Sequence, residues 1–118
     1  MPWEIELYQT ASGNQPVAKF IASLKPEEQA KIARSFDLLE EYGPEIGMPY
    51  VKHLPGTGGL WELRVPFGGQ SLRLLFFIKS NLLVIAHAFF KKTPKIPLKE
   101  INTAINRMKD YRRRSESR

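Results

Sequence analysis

The side chains best suited to chemistry in this chain are cations. Arg64 and Arg73 interrupt apolar stretches (LWELRV and SLRLLFF), Lys52 stands beside His53 ahead of a glycine-rich turn, and Lys91, Lys92, Lys95 and Lys99 follow in one short segment. Guanidinium groups grip phosphate through paired N–H donors, and ammonium groups act as point charges, so the chemistry on offer is the binding of a polyanion, RNA before any other. Other chemistries lack their parts. With no cysteine, the chain has no thiolate nucleophile, thiolate metal site or disulfide. Two histidines, His53 and His87, and four carboxylates after residue 50 do not build a two-metal centre, so no metal and no other cofactor is expected. GTGG at 56–59 leads into no helix and reads as a turn instead of a phosphate-binding loop.

Each of these residues also has a plainer structural reading. Arg64 and Arg73 fall on neighbouring predicted strands, where either can pair with Glu62 to lock the strands together or can clamp a phosphate; the two readings stand level. Lys91 and Lys92 at the end of an apolar strand can be solubilising gatekeepers, although the nearby Lys95 and Lys99 favour a phosphate cluster. His87, inside VIAHAFF, reads as a hydrogen-bonded core histidine before a catalyst, and Trp61 and Phe89 as core residues before stacking platforms for bases. Lys52 and His53, beside the turn, are open to a ligand.

The elements that must position these groups follow from apolar spacing. Trp3 to Tyr8 alternates as a half-buried strand. Pro16 to Leu24 and a segment from Pro26 to Tyr42 carry helical stripes, the second begun by proline and two glutamates and stopped at Gly43-Pro44, which makes a helical hairpin. Residues 50–54 and 60–65 read as strands around the PGTGG turn, Phe67 to Gln70 as a turn, and residues 72–78 and 82–90 as a hairpin across Lys79-Ser80-Asn81. A last helix runs from about Leu98 to Tyr111, with residues 112–118 a frayed basic tail. The expected class is α+β: an N-terminal strand, a helical hairpin on one face of an antiparallel meander sheet, and a C-terminal helix, all in one domain over 1–118.

Charge divides along this order. Residues 1–50 hold four basic and eight acidic side chains, net −4, and residues 51–118 hold fourteen and four, net +10. A field confined to one part of the surface steers a polyanion and releases its counterions on contact; the bland alternative is a solvated surface with a basic tail. No stretch approaches the roughly 18 apolar residues of a membrane span, and MPWEIELYQT lacks the basic and apolar regions of a signal peptide. A cytoplasmic protein without membrane attachment is the expectation.

The run GLWELR (59–64), SLRLLFF with Arg73, AHAFFKKTPKIP (86–97) and the basic final helix with RMKDY together resemble the RelE/ParE superfamily of toxins, and most closely its HigB-like, phage-derived branch. The resemblance covers nearly the whole chain and carries the RelE-like fold with it. It implies the toxin of a type II toxin–antitoxin pair: an mRNA interferase that cleaves mRNA on the ribosome without a metal, by attack of the ribose 2′-OH on the adjacent phosphate, and that is silenced by a helix-turn-helix, HigA-like antitoxin. By the same resemblance Arg73 stabilises charge on the phosphate, Arg64 helps hold it, and Lys52 assists proton transfer or binds the RNA backbone. His53, Lys92, Lys95 and Lys99 complete the RNA-binding set. Where YoeB-like members carry His-Tyr, this chain has Phe90-Lys91. Lys91 is assigned the vacant acid–base role on the expectation that Arg64, Arg73 and Lys92 crowd it and lower its pKa from about 10.4. Two other classes remain open: a ParE-like DNA gyrase inhibitor, which would not need the Lys52/Arg64/Arg73/Lys91 set, and a non-enzymatic phage-derived nucleic-acid-binding protein.

Overall fold

Period-two alternation of apolar residues between Trp61 and Lys91 builds the centre of the fold. The computed structural model describes residues 2–67 and 70–116. Its strands are β1 (Glu4–Leu7), β2 (Val51–His53), β3 (Trp61–Phe67), β4 (Gln70–Lys79) and β5 (Leu82–Lys91), and its helices are α1 (Pro16–Ala22), α2 (Pro26–Tyr42) and α3 (Leu98–Glu116), with a 3-10 turn over Gly43–Ile46. The α+β class and the element order are those expected. The turn anticipated at 67–70 centres on Gly68 and Gly69, which lie outside the described residues.

The five strands form one sheet in the order β1-β5-β4-β3-β2. β2 to β5 make the antiparallel meander, but β1 joins β5 in parallel, with Glu4 opposite Leu82 and Leu7 opposite Ile85, so the sheet is mixed and not wholly antiparallel. The reason lies in β5, whose LLVIAHAFF is too apolar for a bare edge and is covered by a strand on each side.

Helices cover both faces of the sheet: the helical hairpin lies on one, as expected, and α3, whose face the sequence does not assign, lies on the other. On the first face Val17, Ile32 and Leu39 pack on Leu63, Val65, Leu72, Leu74, Phe76, Leu83 and Ile85. On the second, Ala104 and Met108 of α3 pack on Leu60, Leu75, Phe77, Val84, Ala86 and Phe89. Strict alternation would not put Ala86 and Phe89 on one side. Ala86 is the extra residue of a bulge, since Leu75 pairs with His87 while Phe76 pairs with Ile85. The bulge turns His87, Phe89 and Lys91 toward the face that α3 covers.

The helix ends explain the hairpin. Glu28 reaches back to accept the Lys25 backbone N–H at 2.8 Å, and Pro26 occupies the first turn of α2. At the other end Gly43 takes φ of 66° beneath the Trp3 indole, where a β-carbon would collide with the ring.

The tail expected to fray from residue 112 is instead helical to Glu116; Ser117 and Arg118 lie outside the described residues. It is held by its charges. Arg112 donates to the Gly58 carbonyl at 3.1 Å and lies 5.6 Å above the Phe77 ring. Arg114 bonds Asp110 at 2.8 Å and the Gln9 carbonyl at 2.6 Å, and the buried Tyr8 hydroxyl donates to the same Asp110 carboxylate at 2.5 Å. Arg107 and Arg114 lie 5.9 and 5.8 Å from the centre of the Tyr8 ring. A run of arginines that reads as a solvated tail is therefore the fastening of α3 to the end of β1.

Candidate nucleic-acid interface

The α3 face of the sheet is apolar where the helix crosses it and charged at the corner it leaves open. That corner is set by register. Lys52 on β2 stands opposite Glu62 on β3, Arg64 opposite Arg73 on β4, and Arg73 opposite Phe89 on β5. Phe89 belongs to the core beneath α3, so its cross-strand neighbours Arg73 and Arg64 share that side. Lys91 stands one same-face step beyond Phe89, opposite Ser71, and His87 one step before it, opposite Leu75.

Two arginines directly opposite one another repel, and Glu62 resolves the conflict. Its side chain is 2% exposed, and each carboxylate oxygen accepts from a different guanidinium: Oε2 from Arg73 Nε at 2.9 Å and Oε1 from Arg64 Nε at 3.2 Å. The sequence left Glu62 to serve either arginine; the structure has it serve both. Binding through Nε fixes each guanidinium plane and leaves the terminal nitrogens for another acceptor. Arg73 Nη1 reaches the Leu72 carbonyl at 3.3 Å, and the Arg64 terminal nitrogens form no hydrogen bond among the described residues, with 27% of that side chain exposed. Three charges held this way amount to a net single positive charge presented by two pre-oriented donor groups, a geometry chemically suited to an anion with paired oxygens.

His87 is engaged on both ring nitrogens. Arg107, which can only donate, approaches Nδ1 at 3.3 Å while also bonding the Ala86 carbonyl at 2.8 Å, so Nδ1 accepts and the proton sits on Nε2, donated to Glu100 at 2.7 Å. The ring stacks on Phe89 with centroids 5.4 Å apart. Burial lowers the His87 pKa below its ordinary 6.5, against the pull of the Glu100 carboxylate and with the help of Arg107. The structural reading of His87 holds: it clamps the start of α3 onto β5. Glu100 and Arg107 were not singled out from sequence, although their seven-residue spacing puts them on one side of a helix and signals a shared target.

The remaining cations divide. Lys52 lies at the corner, exposed, across from Glu62. His53, its neighbour, points to the other face, where its ring meets the edge of Trp61 at 4.9 Å; alternation along a strand separates the pair that reads as one unit in sequence. Lys92, Lys95 and Lys99 are exposed on the loop after β5 and the first turn of α3. The side-chain ammonium groups of Lys52, Lys91, Lys92, Lys95 and Lys99 form no hydrogen bond or ion pair among the described residues. Trp61 stacks on Phe76 at 6.4 Å and Phe89 is buried, so both are core residues. Among the described residues no three His, Cys, Asp or Glu side chains converge into a metal-binding group, and no helix is long and apolar enough to cross a membrane.

A family model described as "Phage derived protein Gp49-like (DUF891)" matches residues 19–109, a span that includes every residue of this corner. No curated protein matches the chain.

Proposed function

The chain belongs to the phage-derived Gp49-like family, and from that membership together with the open cationic corner we propose that it is the toxin of a type II toxin–antitoxin pair, HigB-like within the RelE/ParE superfamily, acting as a metal-independent endonuclease on ribosome-bound mRNA. The observation that carries the reading is the fork in which buried Glu62 holds Arg64 and Arg73 by their Nε atoms, leaving the outer nitrogens of Arg64 and Nη2 of Arg73 to an anion.

In this reading the scissile phosphate sits over Arg64 and Arg73. The ribose 2′-oxygen gives up its proton and bonds to phosphorus, the bond to the 5′-oxygen breaks, and that oxygen takes up a proton, which yields a 2′,3′-cyclic phosphate and a 5′-hydroxyl. The two guanidiniums meet the charge that builds on the phosphorane, the largest contribution such a site can make. Lys91, one same-face step from Phe89, and Lys52, opposite Glu62, flank the fork and handle the protons and the neighbouring RNA backbone. Glu62 cancels one of the arginine charges, so Lys91 meets less crowding than three free cations would give. His87, bonded at both nitrogens, positions α3 and exchanges no proton with substrate. Lys92, Lys95 and Lys99 extend the cationic track along the RNA, while His53, on the opposite face, has no part in this site. The protein acts in the cytoplasm, without a cofactor, and a helix-turn-helix antitoxin of the HigA type silences it.

The test is induced expression in a bacterial host. Growth arrest with mRNA cut inside translated codons is expected, and Arg73→Ala should relieve the arrest. Arg64 keeps its bond to Glu62 in that variant, so folding should survive it, as a single cooperative thermal transition would verify. Arrest with intact transcripts contradicts the reading, and an accompanying SOS response would point to gyrase instead.

A further inference from the structure

Large exposed apolar side chains are concentrated at one place. Among the described residues they are Leu38, Tyr42, Met48, Tyr50 and Leu98, and the first four, between 43% and 60% exposed, fall within residues 38–50. Leu38, Tyr42 and Tyr50 line a single groove of about 590 Å³ together with Trp3, Glu41 and Glu45. Exposed apolar residues scattered singly need no explanation, whereas several around one concavity mark a binding surface.

The groove is built before anything enters it. The Trp3 backbone N–H donates to the Glu40 carbonyl at 2.9 Å, and its indole is seated over Gly43, the one residue type whose backbone leaves room for the ring. The groove's charge selects its occupant. It lies in the acidic half of the chain, net −4 over residues 1–50, with Glu41 and Glu45 in its lining. A nucleic acid is repelled there, and a segment combining apolar side chains with cations is attracted.

The geometry points to a docking site for a basic, amphipathic segment of a partner protein, its apolar side chains seated among Trp3, Leu38, Tyr42 and Tyr50 and its lysines or arginines facing Glu41 and Glu45. This assignment stands on the groove alone and does not rest on the nuclease reading. The groove belongs to the side of the sheet covered by α2, and a smaller pocket that shares Leu38 and Tyr50 with it is also lined by Arg64, so the groove adjoins the edge of the Arg64–Glu62–Arg73 corner.

The test uses the two tryptophans of the chain. Trp61→Phe leaves Trp3 as the only tryptophan, and its emission is followed while a synthetic helical peptide of about fourteen residues, roughly four turns, with leucines four apart between lysines, is added; a twin carrying glutamates in place of lysines is the control. Saturable change with the lysine peptide alone is expected. Glu41→Lys with Glu45→Lys, and separately Tyr42→Ser, should each weaken it at least about tenfold, and all three positions are exposed enough for the fold to tolerate the change. If Trp61→Phe lowers the melting temperature, calorimetric titration of the unsubstituted chain reads the same binding. No saturable signal, equal response to both peptides, or indifference to the charge reversals overturns the proposal. So does concentration-dependent self-association that Tyr42→Ser abolishes, which would give the groove to a second copy of the chain, or a response of Trp3 to an RNA oligonucleotide.

Discussion

Glu62 is the residue on which the corner depends. A carboxylate 2% exposed between two guanidiniums is tolerated because both oxygens are paired, and removing it leaves two cations facing one another across adjacent strands. Glu62→Ala should cost about 3–5 kcal/mol in denaturant unfolding, well beyond the effect of Arg73→Ala, which leaves one pair intact. Equal losses from the two variants would contradict the fork. The sequence made Arg64, Arg73 and Glu62 visible because each breaks an apolar alternation, but spacing along a strand cannot show that one acid serves two bases; that depends on the β3–β4 register. His87 makes a separate prediction. Its pKa is lowered by burial, so below about pH 6.5 the unfolded chain takes up a proton that the folded chain refuses. Stability on this account is full above that pH, falls as pH drops below it by no more than about 1.4 kcal/mol per pH unit, and levels off under the folded pKa. His87→Gln should remove that slope between pH 7 and 5 in denaturant midpoints; an unchanged slope would assign it elsewhere.

At the scale of elements, α3 shows what local sequence reading misses. YRRRSE has no apolar stripe beyond Tyr111, and periodicity alone therefore ends the helix there; what extends it to Glu116 is a set of partners distant in sequence, Gln9, Tyr8 and Gly58. Strand and helix identities were legible because their apolar periods are unambiguous. The parallel pairing of β1 and the bulge at Ala86 were not, since both are decided by which neighbour covers β5. The fastening carries an acid signature. Hydrogen bonds from Arg114 and then Tyr8 hold the Asp110 carboxyl down at about 2, from an ordinary 3.8. A depressed carboxyl contributes stability above its unfolded pKa and loses it as pH falls toward the folded one, so this contribution fades between about pH 4 and 2. Asp110→Asn should destabilise the protein at pH 7, and the gap to the parent chain should narrow through that window in thermal melts. A gap that stays constant would show that Asp110 does not anchor the helix.

For the whole molecule, the division of charge seen in the sequence becomes a division of surfaces. The acidic hairpin side carries an apolar groove and the α3 side a cationic corner, and the two adjoin at Arg64, which lines a small pocket with Leu38 and Tyr50. Affinity for single-stranded RNA should fall steeply with salt, and Lys92→Ala with Lys95→Ala should lessen that slope by about 0.7 for each phosphate no longer neutralised, while leaving cleavage position unchanged. The most direct measurement of the central claim, that Arg64 and Arg73 cradle the scissile phosphate, is cleavage of a defined mRNA on purified programmed ribosomes, with the ends of the products analysed. The expected products are a 2′,3′-cyclic phosphate and a 5′-hydroxyl, with no cut where the attacking ribose is 2′-deoxy and a rate at least about a hundredfold lower for Arg73→Ala. Cleavage by Arg73→Ala at the parent rate, or products that end in a 5′-phosphate, would contradict it.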